Sequence, residues 1–204
     1  MLAPHPDDEV FGCGGAIASH VGLGVPVQVV VLTDGGQGGQ AAEREAECRA
    51  AASYLGYGEP VFWRLPDRGL LYTDALVEQV LALMQRDGVD MVYAPSPWEV
   101  HSDHRQACAI AMEAVKRQGT PARLAFYEVG VPLRPNVLLD ISPHWQAKHQ
   151  AMRCFGSQLQ RQDYARHIEA LNVFRTYTLP PDVKAAEAYQ LVEATDLGKL
   201  QQAW

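Results

Sequence analysis

The sequence is poor in cysteine: its 204 residues include four, at positions 13, 48, 108 and 154. These cysteines are scattered and form no Cys-x-x-Cys pair. The spacing excludes a cysteine zinc site and argues against a disulfide framework. Four reduced, buried thiols are therefore expected.

Positive charge and long hydrophobic runs are also scarce. Lys and Arg number 17 against 24 Asp and Glu, which gives a formal charge of −7. No basic cluster is present that could face nucleic-acid phosphates. The most apolar run, residues 25–32, is far shorter than the roughly 20 residues of a membrane-spanning helix, and no secretory leader is recognisable. We therefore expect a cytoplasmic protein with no nucleic-acid partner and no membrane span.

Strand-like and helical patterns alternate along the chain. A valine-rich run at 25–32 predicts a strand covered on both faces, as in a parallel sheet. This alternation is typical of an α/β fold with a mostly parallel sheet flanked by helices. Beyond about 136, one more strand and then a mainly helical region are expected. Further strands are predicted at 59–65, 89–94 and 124–129, and helices at 40–55, 73–85 and 103–118.

The first candidate site is the pentapeptide His5-Pro6-Asp7-Asp8-Glu9. The segment 1–3 is too short to show a strand by pattern, yet these residues are typical of the turn that follows one. An imidazole and a carboxylate three residues apart can both reach one divalent ion, and the neighbouring carboxylate can then face water. An acidic turn that merely caps the next helix remains the alternative.

The second candidate site is His101-Ser102-Asp103-His104, after the predicted strand at 89–94. Two imidazoles can converge there, with a carboxylate between them able to orient one ring. A pair of surface histidines is the alternative. Together the two sites can supply two His and one Asp as metal ligands, which leaves coordination positions for water and substrate. This arrangement is typical of catalytic zinc and can also hold ferrous iron.

The two motifs together resemble the LmbE-like or PIG-L family of zinc-dependent N-acetylglucosamine deacetylases. The resemblance covers most of the chain and implies one Rossmann-like α/β domain over 1–204. Other segments that match the family's general pattern are Arg44-x-x-Glu47, Lys148, Ser157-Gln158 and Ala186-Glu187-Ala188-Tyr189.

The resemblance implies a metal centre with His5, Asp8 and His104 as ligands. The implied cofactor is Zn²⁺, with Fe²⁺ or another divalent ion as the alternative. The implied activity is removal of an acetyl group from an N-acetylglucosamine-type sugar or its conjugate by metal-activated water. The partner is then a small amino-sugar molecule, and a homo-oligomer is possible.

The resemblance also implies roles for residues around the metal. Asp7 matches the general base, and His101 matches the residue that stabilises the oxyanion or assists the leaving amine. Asp103 matches the carboxylate that holds this histidine, and Arg44 an arginine that contacts the sugar. One departure bears on mechanism: Glu99 stands where at least one branch of the family has a tyrosine thought to polarise the carbonyl.

Other functions are less well supported by the sequence. Gly12-Cys13-Gly14-Gly15 fails the dinucleotide-binding pattern because position 17 is Ile. No Gly-x-Ser-x-Gly supports a serine hydrolase. The remaining alternatives are an amidase on a larger thiol- or glycoside-linked amide and a non-catalytic protein that binds metal or sugar.

Overall fold

A computed structural model describes residues 1–200, so the last four residues of the expected domain 1–204 lie outside the described residues. The strands are Leu2–Ala3 (β1), Val30–Thr33 (β2), Val61–Leu65 (β3), Met91–Pro95 (β4), Arg123–Tyr127 (β5), Val137–Asp140 (β6) and Ala186–Glu193 (β7). The helices are Asp8–Gly22 (α1), Ala41–Leu55 (α2), Asp74–Asp87 (α3), Ser102–Gln118 (α4), Trp145–Arg153 (α5), Gly156–Leu159 (α6), Tyr164–Phe174 (α7) and Leu197–Leu200 (α8). Within the described chain, no helix combines the length and hydrophobicity needed to cross a membrane.

The strands form two hydrogen-bonded sheets that lie side by side. One has the order β1-β2-β3 and is parallel throughout. The other has the order β4-β5-β7-β6, in which β4 and β5 are parallel and β7 runs antiparallel to both of its neighbours. The predicted α/β fold with a mostly parallel, Rossmann-like sheet is therefore confirmed.

The chain reverses its direction of winding between β1 and β4. These two strands lie next to each other, and the Tyr127 hydroxyl on β5 donates a 3.0 Å hydrogen bond to the Leu2 carbonyl across the junction. In such sheets, ligands bind outside the carboxyl ends of the strands at the point of reversal. The turns that follow β1 and β4 carry the two candidate motifs.

The structure differs from the sequence prediction at two strands. β2 begins at Val30, the residue that pairs with Leu2, and not at position 25. β7 lies in the region expected to be mainly helical, so that expectation is wrong for 186–193. Its Ala and Glu residues favour helix, but β5 and β6 pair with its backbone on both sides, and this tertiary context overrides the intrinsic preference.

The predicted thiols are all free. Cys13, Cys48 and Cys108 are buried as expected, whereas Cys154 is partly exposed.

Helix α1 packs unusually close to the sheet. A side chain at Gly12 would overlap the ring of Tyr127, and one at Gly15 would overlap Ile141. Glycine weakens an isolated helix, so α1 is stabilised mainly by burial against its neighbours. The close approach places the first turn of α1, with Asp8, at the edge of the sheet.

A buried ion pair fastens the carboxyl-terminal region to α1. Lys148 on α5 donates to Glu187 on β7 at 2.7 Å and to the Phe11 carbonyl at 3.0 Å, and both charged side chains are almost fully buried. The Glu187 carboxylate also accepts the backbone N–H groups of Gly15 and Ala16 at 2.7 and 2.8 Å. The family-like residues near positions 148 and 187 therefore hold α1 in place.

Removing one partner of this pair leaves the other charge buried without compensation. We predict that Lys148→Met lowers the free energy of unfolding by about 3–5 kcal/mol. Lys116→Met is the matched control, because Lys116 is half exposed and its ion pair with Glu113 is 3.6 Å long; its change should stay within about 0.5 kcal/mol. Urea unfolding followed by circular dichroism measures both, and equal stabilities of the two variants would refute the prediction.

Candidate metal centre and active site

The two predicted motifs meet in one cleft at the carboxyl ends of β1 and β4. The turn 4–7 follows β1, and the loop 96–101 joins β4 to α4. The cleft has a volume of about 370 Å³, and residues from both motifs line it. All seven residues singled out in the sequence lie in the cleft or directly against it: His5, Asp7, Asp8, Arg44, His101, Asp103 and His104.

Asp8 lies between the two histidines predicted to be its fellow ligands. Its Oδ2 is 3.1 Å from Nδ1 of His5 and 3.2 Å from Nε2 of His104. Burial opposes the ionisation of Asp8, but the two rings hold its pKa well below the usual range. His5, Asp8 and His104 thus converge on one point, from the turn after β1, from α1 and from α4.

This arrangement fits a divalent ion. Atoms bound to one tetrahedral ion at 2.0–2.1 Å are about 3.3 Å apart, close to the separations measured around Asp8. Ring nitrogens of His5, His101 and His104 also lie within 4.8 Å of one another. Two imidazoles and one carboxylate are a donor set suited to zinc or ferrous iron.

Two carboxylates lie against the opposite nitrogen of His5. Its Nε2 is 3.2 Å from Asp103 Oδ2 and 3.3 Å from Asp67 Oδ1. Asp103 also accepts the backbone N–H of Arg68 at 2.7 Å. Asp103 was expected to hold His101, but its carboxylate contacts His5, since the helix start that positions Asp103 points this side chain toward β1.

A backbone N–H group orients the ring of His101. Its Nδ1 accepts the backbone N–H of Asp103 at 3.2 Å, so a neutral ring carries its proton on Nε2. Partial burial and the nearby His5 and His104 lower the pKa of His101, which favours that neutral form. A neutral ring of this tautomer is a hydrogen-bond donor at Nε2.

Asp7 has a strained backbone at the start of α1. Its φ is 143°, in a region that disfavours residues with a side chain, and such strain concentrates at functional sites. Its backbone N–H donates to Glu9 at 3.0 Å, and its Oδ2 accepts a 2.9 Å hydrogen bond from Arg44. Burial raises the pKa of Asp7 to about 7, with Arg44 acting in the opposite direction.

Arg44 is 3% exposed and fixes the turn that carries Asp7. Besides Asp7, its guanidinium donates to the carbonyls of Pro6 and Gly35, both at 2.9 Å. A contact between Arg44 and a sugar stays a prediction. Glu47, one turn along α2, accepts two hydrogen bonds from Ser157, so these two parts of the family-like pattern contact each other.

Sequence reasoning missed Asp67 beside the centre, gave Glu9 no role, and treated Glu99 only as a departure from the family's tyrosine. Asp67 follows β3, and its position at the carboxyl end of a strand is a signal that could have indicated it. Glu9 and Glu99 are buried carboxylates, 0% and 2% exposed. Nothing in their spacing shows their partners: Glu9 accepts from the Asp7 N–H and the Cys48 thiol, and Glu99 accepts from backbone N–H groups after β5.

Residues 1–115 match the model of the PIG-L family, which is described as GlcNAc-PI de-N-acetylase. The chain belongs to this family. Diacetylchitobiose deacetylase of Thermococcus kodakarensis is 29% identical over 185 residues, covering 77% of this chain and 68% of the relative. The chain spans 51–68% of the length of the curated deacetylases that it matches.

The chain is also similar to a second archaeal deacetylase and to a bacterial hydratase. The structure of N,N'-diacetylchitobiose deacetylase from Pyrococcus horikoshii has a TM-score of 0.84 and 25% identity, covering 96% of this chain and 83% of that one. A 4-oxalmesaconate hydratase of Pseudomonas putida is 27% identical over 199 residues, covering 82% of this chain and 76% of the relative.

The convergence around Asp8 generates a prediction about metal binding. We expect the purified protein to bind about one Zn²⁺ per chain, and His104→Ala to weaken this binding severely, because His5 and Asp8 alone leave a three-residue site one ligand short. His20→Ala is the control, since His20 bonds to Tyr93 and lies outside the cleft. Isothermal titration of the metal-free proteins measures both. Unchanged zinc binding in His104→Ala would be incompatible with the ligand set.

Proposed function

We propose that the protein is a metal-dependent hydrolase that removes the acetyl group from an N-acetylglucosamine-type amino sugar or its conjugate. The observation that carries the proposal is the convergence of His5, Asp8 and His104, with Asp7 beside them, in a cleft of the PIG-L fold. The family description and the diacetylchitobiose deacetylases support the acetamido-sugar as substrate.

Asp7 is the proposed general base. A zinc ion held by His5, Asp8 and His104 would lower the pKa of water toward about 7 and polarise the acetyl carbonyl. Arg44 fixes one Asp7 oxygen at 2.9 Å, which leaves the other oxygen to accept a proton from the attacking water. A base works best when its pKa lies near the operating pH, and burial raises the pKa of Asp7 in the metal-free protein toward that range.

His101 is the proposed donor to the acyl oxygen as negative charge develops there. Its Nδ1 is occupied by the Asp103 backbone N–H, so Nε2–H is the group available to the substrate. The neutral ring is favoured, and within residues 1–200 no carboxylate hydrogen bond holds it, so His101 is poorly suited to deliver a proton. Asp7, which has gained a proton from water, is the better donor to the leaving amine.

A second candidate is supported by the hydratase relative. Addition of water to a carbon–carbon double bond also needs activated water and a base, so the same cluster could serve it. A larger thiol- or glycoside-linked amide also remains open. Hydration releases no acetate, whereas hydrolysis of any acetylated amine does.

We predict that the zinc-loaded protein releases acetate from N-acetylglucosamine glycosides, and that Asp7→Asn lowers kcat by about 10²- to 10⁴-fold, the usual contribution of a general base. The amide cannot accept the proton, but it keeps the size of the side chain. Acetate release is measured with a coupled assay over a panel of acetylated sugars, and zinc content is measured in parallel.

The control is Asp182→Asn, since Asp182 is exposed and remote from the cleft. It should keep the wild-type rate. Wild-type turnover by a zinc-loaded Asp7→Asn would eliminate Asp7 as the base. Absence of acetate from the whole panel, with zinc bound, would favour the hydratase candidate or a protein that only binds sugar.

A further inference from the structure

Glu99 lies at the centre of a ring of backbone donors. Its Oε1 accepts the N–H groups of Val129, Gly130 and Val131 at 2.8, 3.0 and 3.3 Å, and Gly130 also approaches Oε2 at 3.2 Å. These donors belong to the loop after β5. The carboxylate therefore joins the loop before α4 to the next loop along the sheet edge.

The same carboxylate faces the metal-binding histidine on α4. Glu99 Oε2 is 3.5 Å from His104 Nδ1, and both residues are buried. Within residues 1–200, no hydrogen-bond partner reaches this Nδ1. The opposite nitrogen, Nε2, is the one that faces Asp8 at 3.2 Å.

A carboxylate in this position cannot act as a tyrosine would. A tyrosine hydroxyl donates a hydrogen bond and can polarise a carbonyl, whereas a carboxylate surrounded by N–H groups only accepts. Contact with the acyl oxygen is then left to His101. What Glu99 can do is accept a hydrogen bond from the Nδ1–H of His104.

We propose that Glu99 is a positioning residue that holds His104 in the tautomer whose Nε2 is free to bind the metal. Metal-binding histidines commonly donate their second N–H to a carboxylate, and loss of that partner typically costs 10- to 100-fold in metal affinity. The inference rests on the metal-binding part of the function proposed above. Glu99, which replaces the tyrosine of the other branch, thus acts on the metal site and not on the substrate carbonyl.

Glu99→Gln tests the proposal with little change in shape. The amide oxygen must face the backbone N–H groups, so the NH₂ group turns toward His104. Two donors then face each other unless His104 moves its proton to Nε2, the nitrogen needed for the metal. The variant should keep most of the loop contacts and still bind metal poorly.

Glu128→Gln is the matched control, because Glu128 fastens the other end of the same loop. It accepts the Leu133 N–H at 2.8 Å and pairs with Arg175, and it is 4% exposed. A purely structural role of the loop would make the two variants lose metal equally. The proposal expects the loss in Glu99→Gln alone.

The experiment titrates Zn²⁺ and Co²⁺ into metal-free wild type and both variants without substrate. We expect Glu99→Gln to raise the zinc Kd by at least tenfold and to alter the Co²⁺ absorption spectrum, with Glu128→Gln within twofold of wild type. A zinc Kd of Glu99→Gln within twofold of wild type, or an equal loss in Glu128→Gln, would overturn the proposal.

Thermal unfolding first establishes that each variant is folded. If Glu99→Gln does not fold, Glu99→Asp replaces it. The shorter side chain keeps the negative charge but cannot reach both the backbone N–H groups of the loop after β5 and His104 Nδ1. The same direction of change in zinc affinity is expected, and a wild-type Kd overturns the proposal. The titration needs no turnover. Failure of acetate release in the wild type would therefore count against the proposed function and leave this inference standing.

Discussion

The contact of one carboxylate with two imidazoles organises this molecule. Asp8 lies within 3.2 Å of a ring nitrogen from His5 and from His104, residues that are far apart in sequence. This meeting is possible only because the chain reverses its winding between β1 and β4, which puts the two strand ends side by side. The buried Lys148–Glu187 pair and the glycines of α1 then fix the helix that carries Asp8 against the sheet.

Each side chain at the metal site is also contacted by a charged group on the side that faces away from the proposed ion. His5 faces the carboxylates of Asp103 and Asp67, His104 faces Glu99, and Asp7 is fixed by Arg44. Such support costs strain at Asp7 and buries several negative charges near one another. A divalent ion bound to the cluster would offset part of that charge.

The sequence allowed the fold class and the convergence of the two motifs to be predicted, because both depend on local pattern and on strand ends meeting at one edge. It did not allow β7 to be predicted, since Ala186 and Glu187 favour helix until neighbouring strands pair with them. The contacts of Asp103 and Glu99 could not be predicted either, because they depend on side-chain directions set by α4 and by the loop after β5. Asp67 was missed for a similar reason: its role follows from the path of the chain after β3.

The central claim is that one ion binds between His5 Nδ1, Asp8 Oδ2 and His104 Nε2. Anomalous diffraction from a zinc-soaked crystal, measured on both sides of the zinc absorption edge, tests it most directly. We expect one strong peak of anomalous density within about 2.3 Å of all three atoms. A peak on the opposite side of His5, between Asp67 and Asp103, with none beside Asp8, would contradict it.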